Sequence, residues 1–267
     1  MKIFCDIDNP KEMVAYLSDN KRFNSIKCIN KYTKLSSLKK IIASGFLYLN
    51  KAKDMNDLAE YQEFGKADKW KGIYYSCFTA AQEENMAMWS MYAQPWDEGV
   101  FISIPLKGFK EWIDSLQTGY AVKDKKVDEQ DAFSIEPMLY RVAYESKGVL
   151  TCTGRDDRNR HFENVYQLDG LRGYVKNHIW EYERELRLRV DLNFNNKELP
   201  DSIAVPITSE LINSMRIITG PRYGSQSVIE TIPPKYRGEI SIEASSFQNQ
   251  LGWIPCDDCF FKKKHKS

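Results

Sequence analysis

The chain has 267 residues, with 38 Lys+Arg against 37 Asp+Glu, 42% hydrophobic residues and 13% aromatic residues. This is enough apolar material for a packed core. No apolar run approaches the roughly 18–20 residues needed to cross a bilayer, which excludes a membrane-spanning helix. A net charge of +1 also argues against sequence-indifferent nucleic-acid binding by blanket phosphate neutralisation. The first eight residues carry acids and lack the apolar stretch of a signal peptide, so a cytoplasmic protein with no membrane partner is expected. No Pro/Gly/Ser-rich linker divides the chain. The reading is therefore one domain over 30–250, preceded by an N-terminal extension (1–29) and followed by a Cys-containing basic tail (251–267).

In chain order, Leu35, Leu38 and Ile42 stand at i, i+3, i+7 and Gly45 is placed to end a helix, which predicts a short amphipathic helix over 36–44. Residues 73–78 are rich in aromatics and predict a buried strand, and Thr79 and Gln82 have capping-box spacing for a helix running to 92, before Pro95. Segments 100–104, 138–144, 185–190, 203–207, 215–219 and 239–243 have strand length and β-rich composition. The polar stretches 121–131 and 151–161 are expected to be surface loops. Strands outnumber helices without regular βαβ alternation, which predicts an α+β domain with a mixed or split two-sheet core and flanking helices.

Three clusters carry candidate chemistry. In Trp180-Glu-Tyr-Glu-Arg-Glu-Leu-Arg-Leu-Arg189, strand alternation puts Glu183, Glu185, Arg187 and Arg189 on one face. That face is either a site, where a carboxylate holds a substrate hydroxyl or stabilises positive charge, or a solvated surface of weak ion pairs. In Asn85-Met-Ala-Met-Trp-Ser-Met-Tyr92, helical spacing brings Asn85, Trp89 and Tyr92 together, either as core or as a stacking wall for a flat ligand. Asn56-Asp-Leu-Ala-Glu60 is either a ligand-contacting turn or an ordinary helix start. Lys31-Tyr32 joins a cation and a phenol just ahead of the first helix.

Other chemistries lack support. The six cysteines are sparse and irregular, and only Cys256-Asp-Asp-Cys259 has ligand-like spacing, with His265 alone nearby, so no metal is expected. Cys77 falls in the aromatic strand and no histidine is spaced to serve a nucleophile. No Gly-x-Gly-x-x-Gly, Walker-type, Gly-x-Ser-x-Gly or His-Glu-x-x-His motif occurs. The basic tail Lys262–Lys266 and the arginines between Arg155 and Arg160 leave engagement of single-stranded nucleic acid open.

The order of these pieces resembles a bacterial domain-of-unknown-function family. Its signatures are Met-Trp-x-x-Tyr-Ala (here Met88 to Ala93) and Trp-x-x-Glu-x-Glu-x-Arg (here Trp180 to Arg187). The likeness extends over about 30–245 through Lys31-Tyr32, the helix ending at Gly45, Asn56-Asp-x-x-Glu60, Tyr75-Ser-x-Phe78, Gly99-Val-x-Ile102 and Ile218-x-Gly-Pro221. The resemblance implies an ADP-ribosyltransferase-like fold, with NAD as substrate in the cleft of a split β core, in a toxin or phage-defence setting. It also implies a protein or nucleic-acid acceptor and an antitoxin or defence-system partner. Carried over by position, Lys31, Tyr32 and Asn56 contact NAD and Ser76 supports the nicotinamide ribose. Glu185 stabilises an oxocarbenium-like centre, and Glu183 orients the acceptor or serves as its base. Arg187 holds these carboxylates ionised or meets the pyrophosphate, while Trp89 and Tyr92 wall the pocket. Two positions depart from the pattern: Phe78 stands where a second serine is expected, and no arginine occupies the first strand. A non-catalytic ligand-binding module on the same fold is the alternative.

Overall fold

A computed structural model describes residues 18–52, 72–116, 120–123, 132–135, 137–145, 173–192, 200–222, 228–230 and 232–248. Strand β1 (Cys28–Lys34) runs directly into helix α1 (Leu35–Ser44), and β2 (Phe46–Lys51) follows. Next come β3 (Ile73–Thr79), helix α2 (Met86–Tyr92), β4 (Gly99–Pro105) and helix α3 (Leu106–Ser115). The short strands β5 (Tyr120–Lys123), β6 (Ala132–Ser134), β7 (Pro137–Arg141), β8 (Ala143–Glu145) and β9 (Val175–Asn177) lead to a 3-10 helix (His178–Glu183) and β10 (Glu185–Asp191). β11 (Ser202–Pro206), helix α4 (Ser209–Asn213), β12 (Arg216–Thr219) and β13 (Ser241–Ala244) complete the main elements.

Among the described residues, eleven strands form one sheet and β8 and β9 form a second, parallel pair. The chain is thus a mixed α+β protein with a dominant sheet, a small second sheet and several helices. Pairing in the main sheet is antiparallel except between β12 and β13. The feature that positions the site is the uneven edge of β3. One edge pairs with β10 along all seven residues, from Thr79↔Glu185 to Ile73↔Asp191. The opposite edge meets β1 only at Thr79 and β2 only at Tyr74 and Tyr75. Around residues 76–78 the sheet is therefore split, and the edge groups there need other partners.

Alternation gives the two faces of the sheet different covers. On one face Phe78, Leu186, Leu188, Ile102 and Ile104 pack with Leu38 and Ile41 of α1 and Phe109 and Trp112 of α3. On the other face Tyr32, Phe101 and Ile218 pack with Met88 and Trp89 of α2. Burying side chains of this size contributes about 1.5–3 kcal/mol each.

Helix α1 ends as its sequence requires: Gly45 takes φ 72, and its N–H donates to the Ile41 carbonyl. The capping-box expectation is corrected. Thr79 is still in β3, with its hydroxyl oxygen accepting from the Ala81 N–H, and Gln82 bonds the Cys28 backbone instead. Helix α2 starts at Met86, capped by the Asn85 side chain, which accepts from the Ala87 and Met88 N–H groups. The strand expected over 138–144 is two strands. The Val142 N–H donates to the Glu185 carbonyl within the main sheet, whereas the Ala143 N–H donates to Tyr174 and sends β8 into the second sheet. Residues 121–123, expected in a loop, belong to β5, and α3 was not anticipated. The main sheet begins at Cys28, and Phe23 and Ile26 before it are packed in the core. The stretch 151–161 and the tail 251–267 lie outside the described residues. Among those residues, no helix is long and apolar enough to cross a membrane.

Candidate active site in the split of the sheet

A cavity of about 450 Å³ opens where β1 and β2 diverge from β3, within the roughly 300–1,000 Å³ typical of small-molecule sites. Lys31, Tyr32, Ser76, Cys77, Thr79, Tyr92, Glu183, Glu185 and Arg187 all line it, together with Lys176, and Ser37, Lys40 and Tyr48 of α1 and β2 close its other side. Seven of the residues singled out in the sequence thus meet in one cleft: Lys31, Tyr32, Ser76, Tyr92, Glu183, Glu185 and Arg187. Asn56 lies outside the described residues.

The acidic wall is built by β10 and the turn before it. The 3-10 helix, capped by the Asn177 side chain on the Ile179 N–H, ends at Glu183. Arg184 then adopts the left-handed conformation (φ 45) before β10 begins at Glu185. Continuous strand alternation therefore does not explain why both glutamates face the cleft; a left-handed residue between helix and strand does. Nor is this face solvated. Glu183 and Glu185 are 3% and 4% exposed and Arg187 is 0% exposed, because the chain around Gly173–Asn177 lies over them. Arg187 Nε and Nη2 sit 2.6 and 3.0 Å from the two oxygens of Glu185, and Nη1 donates to the Gly173 carbonyl at 2.7 Å. Those three donors are engaged on protein groups, and the guanidinium holds the Glu185 carboxylate ionised.

Lys176, which the sequence reading did not single out, places its ammonium 2.7 Å from Glu183 and 3.0 Å from Glu185. The Tyr92 hydroxyl donates to the remaining Glu183 oxygen. The two carboxylates are shifted in opposite directions. Burial would raise Glu185, but Arg187 and Lys176 hold it down at about 2. Burial and the charge of Glu185 lift Glu183 above the usual carboxylate range, against the pull of Lys176 and Tyr92. Burial opposes the charge on Lys176, yet the two glutamates outweigh it and keep its pKa above the ordinary lysine range. Burial pushes the Cys77 thiol well up, and the neighbouring Glu185 adds to this, so it is no thiolate nucleophile.

The opposite wall carries Lys31. Its ammonium spans the split, donating to the Cys77 carbonyl at 2.8 Å and to the Ser76 hydroxyl at 3.4 Å. That carbonyl lies where neither β1 nor β2 pairs with β3. Burial pulls the Lys31 pKa down, partly offset by Cys77 and Glu185. Among the described residues no carboxylate lies within ion-pair distance of it. Ser76 thus holds Lys31, while Phe78, at the second-serine position, packs on Phe109 in the core.

The expectation for Trp89 is corrected. It is fully buried, edge-on to Tyr32 with ring centroids 5.1 Å apart, and its indole N–H donates to Glu84. It braces α2 against β1 rather than walling the cavity, and Met88 and Tyr92 present the cleft surface of that helix. Tyr32 shares both settings: its ring packs on Phe101, and its hydroxyl accepts from the Asn85 N–H. Cys28 and Cys77 are free thiols. Among the described residues no three of His, Cys, Asp and Glu converge as metal ligands. Lys176 lies in Val-Lys-Asn, too short for periodicity to mark. No family model, no curated protein and no solved structure matches this chain.

Proposed function

We propose that the chain consumes NAD on an ADP-ribosyltransferase-like fold, as an ADP-ribosyltransferase or NAD glycohydrolase of a toxin or phage-defence kind. The observation that carries this reading is a pair of buried carboxylates with opposite ionisation tendencies in a cleft at a split sheet. Two titratable groups whose environments push them apart divide acid–base work between them. In the proposed step the C1′–N bond of the nicotinamide ribose breaks, and its electron pair passes to the pyridinium nitrogen, releasing neutral nicotinamide. Glu185, held ionised, stabilises the positive charge left on the ribose. A lone pair of water or of an acceptor group closes on C1′, and Glu183 takes the proton that this nucleophile gives up. Lys31 and Lys40, on the wall facing the acids, suit the phosphates of the dinucleotide.

Purified protein incubated with NAD is expected to release nicotinamide. Glu185→Gln is expected to reduce that rate by about 10²–10³, as for loss of one electrostatic stabiliser. Absence of both NAD binding and nicotinamide release in the wild-type protein would refute the reading. A second reading, a binding module without turnover, is favoured by the engagement of both Glu185 oxygens with Arg187 and Lys176. It expects NAD affinity by calorimetry with no nicotinamide released.

A further inference from the structure

Lys176 does not belong to the main sheet. It is the middle residue of β9, paired with Tyr144 of β8, in the two-stranded sheet that branches off at Val142. Among the described residues its ammonium is the one group within ion-pair distance of both acids, Glu183 at 2.7 Å and Glu185 at 3.0 Å, and the Trp180 ring lies 5.0 Å away. The other titratable or charged groups around the pair come from every packed element. These are Arg187 on β10, Cys77 and Tyr75 on β3, Tyr92 on α2, Lys31 on β1, Tyr140 on β7, Tyr144 on β8 and Tyr182 on the 3-10 helix.

The charges of this cluster close in a specific way. Of the two acids, Arg187 Nε and Nη2 meet Glu185. Lys176 is therefore the counter-ion on which Glu183 depends, and together Lys176 and Arg187 balance the two glutamates. A compact ammonium fits between two carboxylates, whereas a second planar fork would engage one of them. Removing it would leave Glu183 buried beside an ionised Glu185, and a buried acid next to a like charge protonates rather than remain charged.

We propose that Lys176 is a positioning residue: the shared counter-ion that lines up Glu183 and Glu185 on one wall of the cleft and decides whether Glu183 is free to accept a proton. The small sheet, on this view, is the device that delivers it. What the aligned pair does to a substrate rests on the NAD reading; the ionic role itself does not.

The test follows the Glu183 side-chain carboxyl by carbon-13 NMR against pH in the full-length protein. Lys176→Met is expected to raise the Glu183 midpoint by more than about one pH unit, while Lys176→Arg, which keeps the charge, moves it less. Glu185 loses one of its two cations but keeps Arg187, and is expected to stay ionised well below the Glu183 midpoint. A Glu183 midpoint unmoved in Lys176→Met would overturn the proposal, since a purely structural lysine would not set this titration. If Lys176→Met folds poorly, the double variant Lys176→Met/Glu183→Gln restores the charge balance and is expected to recover most of the lost thermal stability; no recovery would also overturn the proposal. Nicotinamide release from NAD separates the two ideas. With no release by the wild type the NAD reading fails while the titration still judges Lys176. With release, the acid limb of kcat/KM is expected to move up in Lys176→Met by the same interval as the midpoint.

Discussion

Two arginines on β10 make the same local contact and meet different fates. Arg187 reaches Glu185, two residues earlier, with Nε at 2.6 Å and Nη2 at 3.0 Å. Arg189 reaches Asp191, two residues later, with Nε at 2.6 Å and Nη2 at 2.8 Å. Both guanidiniums also lie near aromatic faces, Arg187 over Tyr75 and Arg189 over Tyr174. The Glu185–Arg187 pair is nevertheless closed off from water, while the Asp191 carboxylate is 54% exposed. Strand alternation alone places each arginine beside its acid. What separates them is what closes on the acid: the Gly173 carbonyl and Lys176 meet the Glu185–Arg187 pair, whereas Tyr174 covers the Arg189 guanidinium and leaves Asp191 open to water. A fork whose acid stands in water is a weak contact, and the same fork with its acid buried beside a second carboxylate and a second cation becomes a site.

The comparison breaks most severely at Arg187. Arg187→Met leaves Glu185 buried with Lys176 as its remaining close cation, and unfolding stability measured in urea is expected to fall by roughly 3–5 kcal/mol. Arg187→Lys is expected to recover little of it, because an ammonium cannot span both oxygens as the fork does.

The next effect is in acid. Glu185 is depressed from an ordinary value of 4.5 to about 2, so its contribution is fully present above about pH 4.5 and is lost as pH falls from there towards 2. Glu183 works with the opposite sign: its raised pKa means that taking up a proton favours the folded state. Stability on acidification is therefore expected to hold down to about pH 4.5 and to fall from there towards 2. Glu185→Gln, followed by pH-dependent unfolding, is expected to flatten the slope between about 4.5 and 2, and an unchanged slope there would show that other carboxylates dominate acid unfolding.

The smallest expected effect is at Asp191. Asp191→Asn is expected to change stability by less than about 1 kcal/mol, further reduced by salt. A loss comparable to that of Arg187→Met would mean that burial is not what distinguishes the two pairs.

Much of this was legible in the residues themselves. The Leu35, Leu38, Ile42 spacing and Gly45 define α1 because helix periodicity and a left-handed terminus are local properties. The aromatic run at 73–78 and the charged alternation at 185–190 mark β3 and β10 for the same reason. The convergence of Lys31, Ser76, Tyr92, Glu183, Glu185 and Arg187 on one cleft follows motifs present in the sequence, although their chemistry remains a proposal. Helix α3 carried a readable signal, with Leu106, Phe109, Trp112 and Ile113 buried on one stripe, but it follows β4 without a side-chain cap and so blends into the strand. Trp89 and Tyr92, three residues apart, were indistinguishable as core or cleft, because helical spacing gives a shared face and not what lies against it.

The sequence by itself therefore determined the local elements and the placing of each arginine beside its acid, since i to i+2 geometry in a strand needs no distant partner. Only the tertiary structure decided which acid is buried. That choice depends on the bend at Val142, the left-handed Arg184 and the arrival of Lys176 on a three-residue strand. Such long-range packing sets the local dielectric and the counter-ions, and with them the ionisation of Glu183 and Glu185.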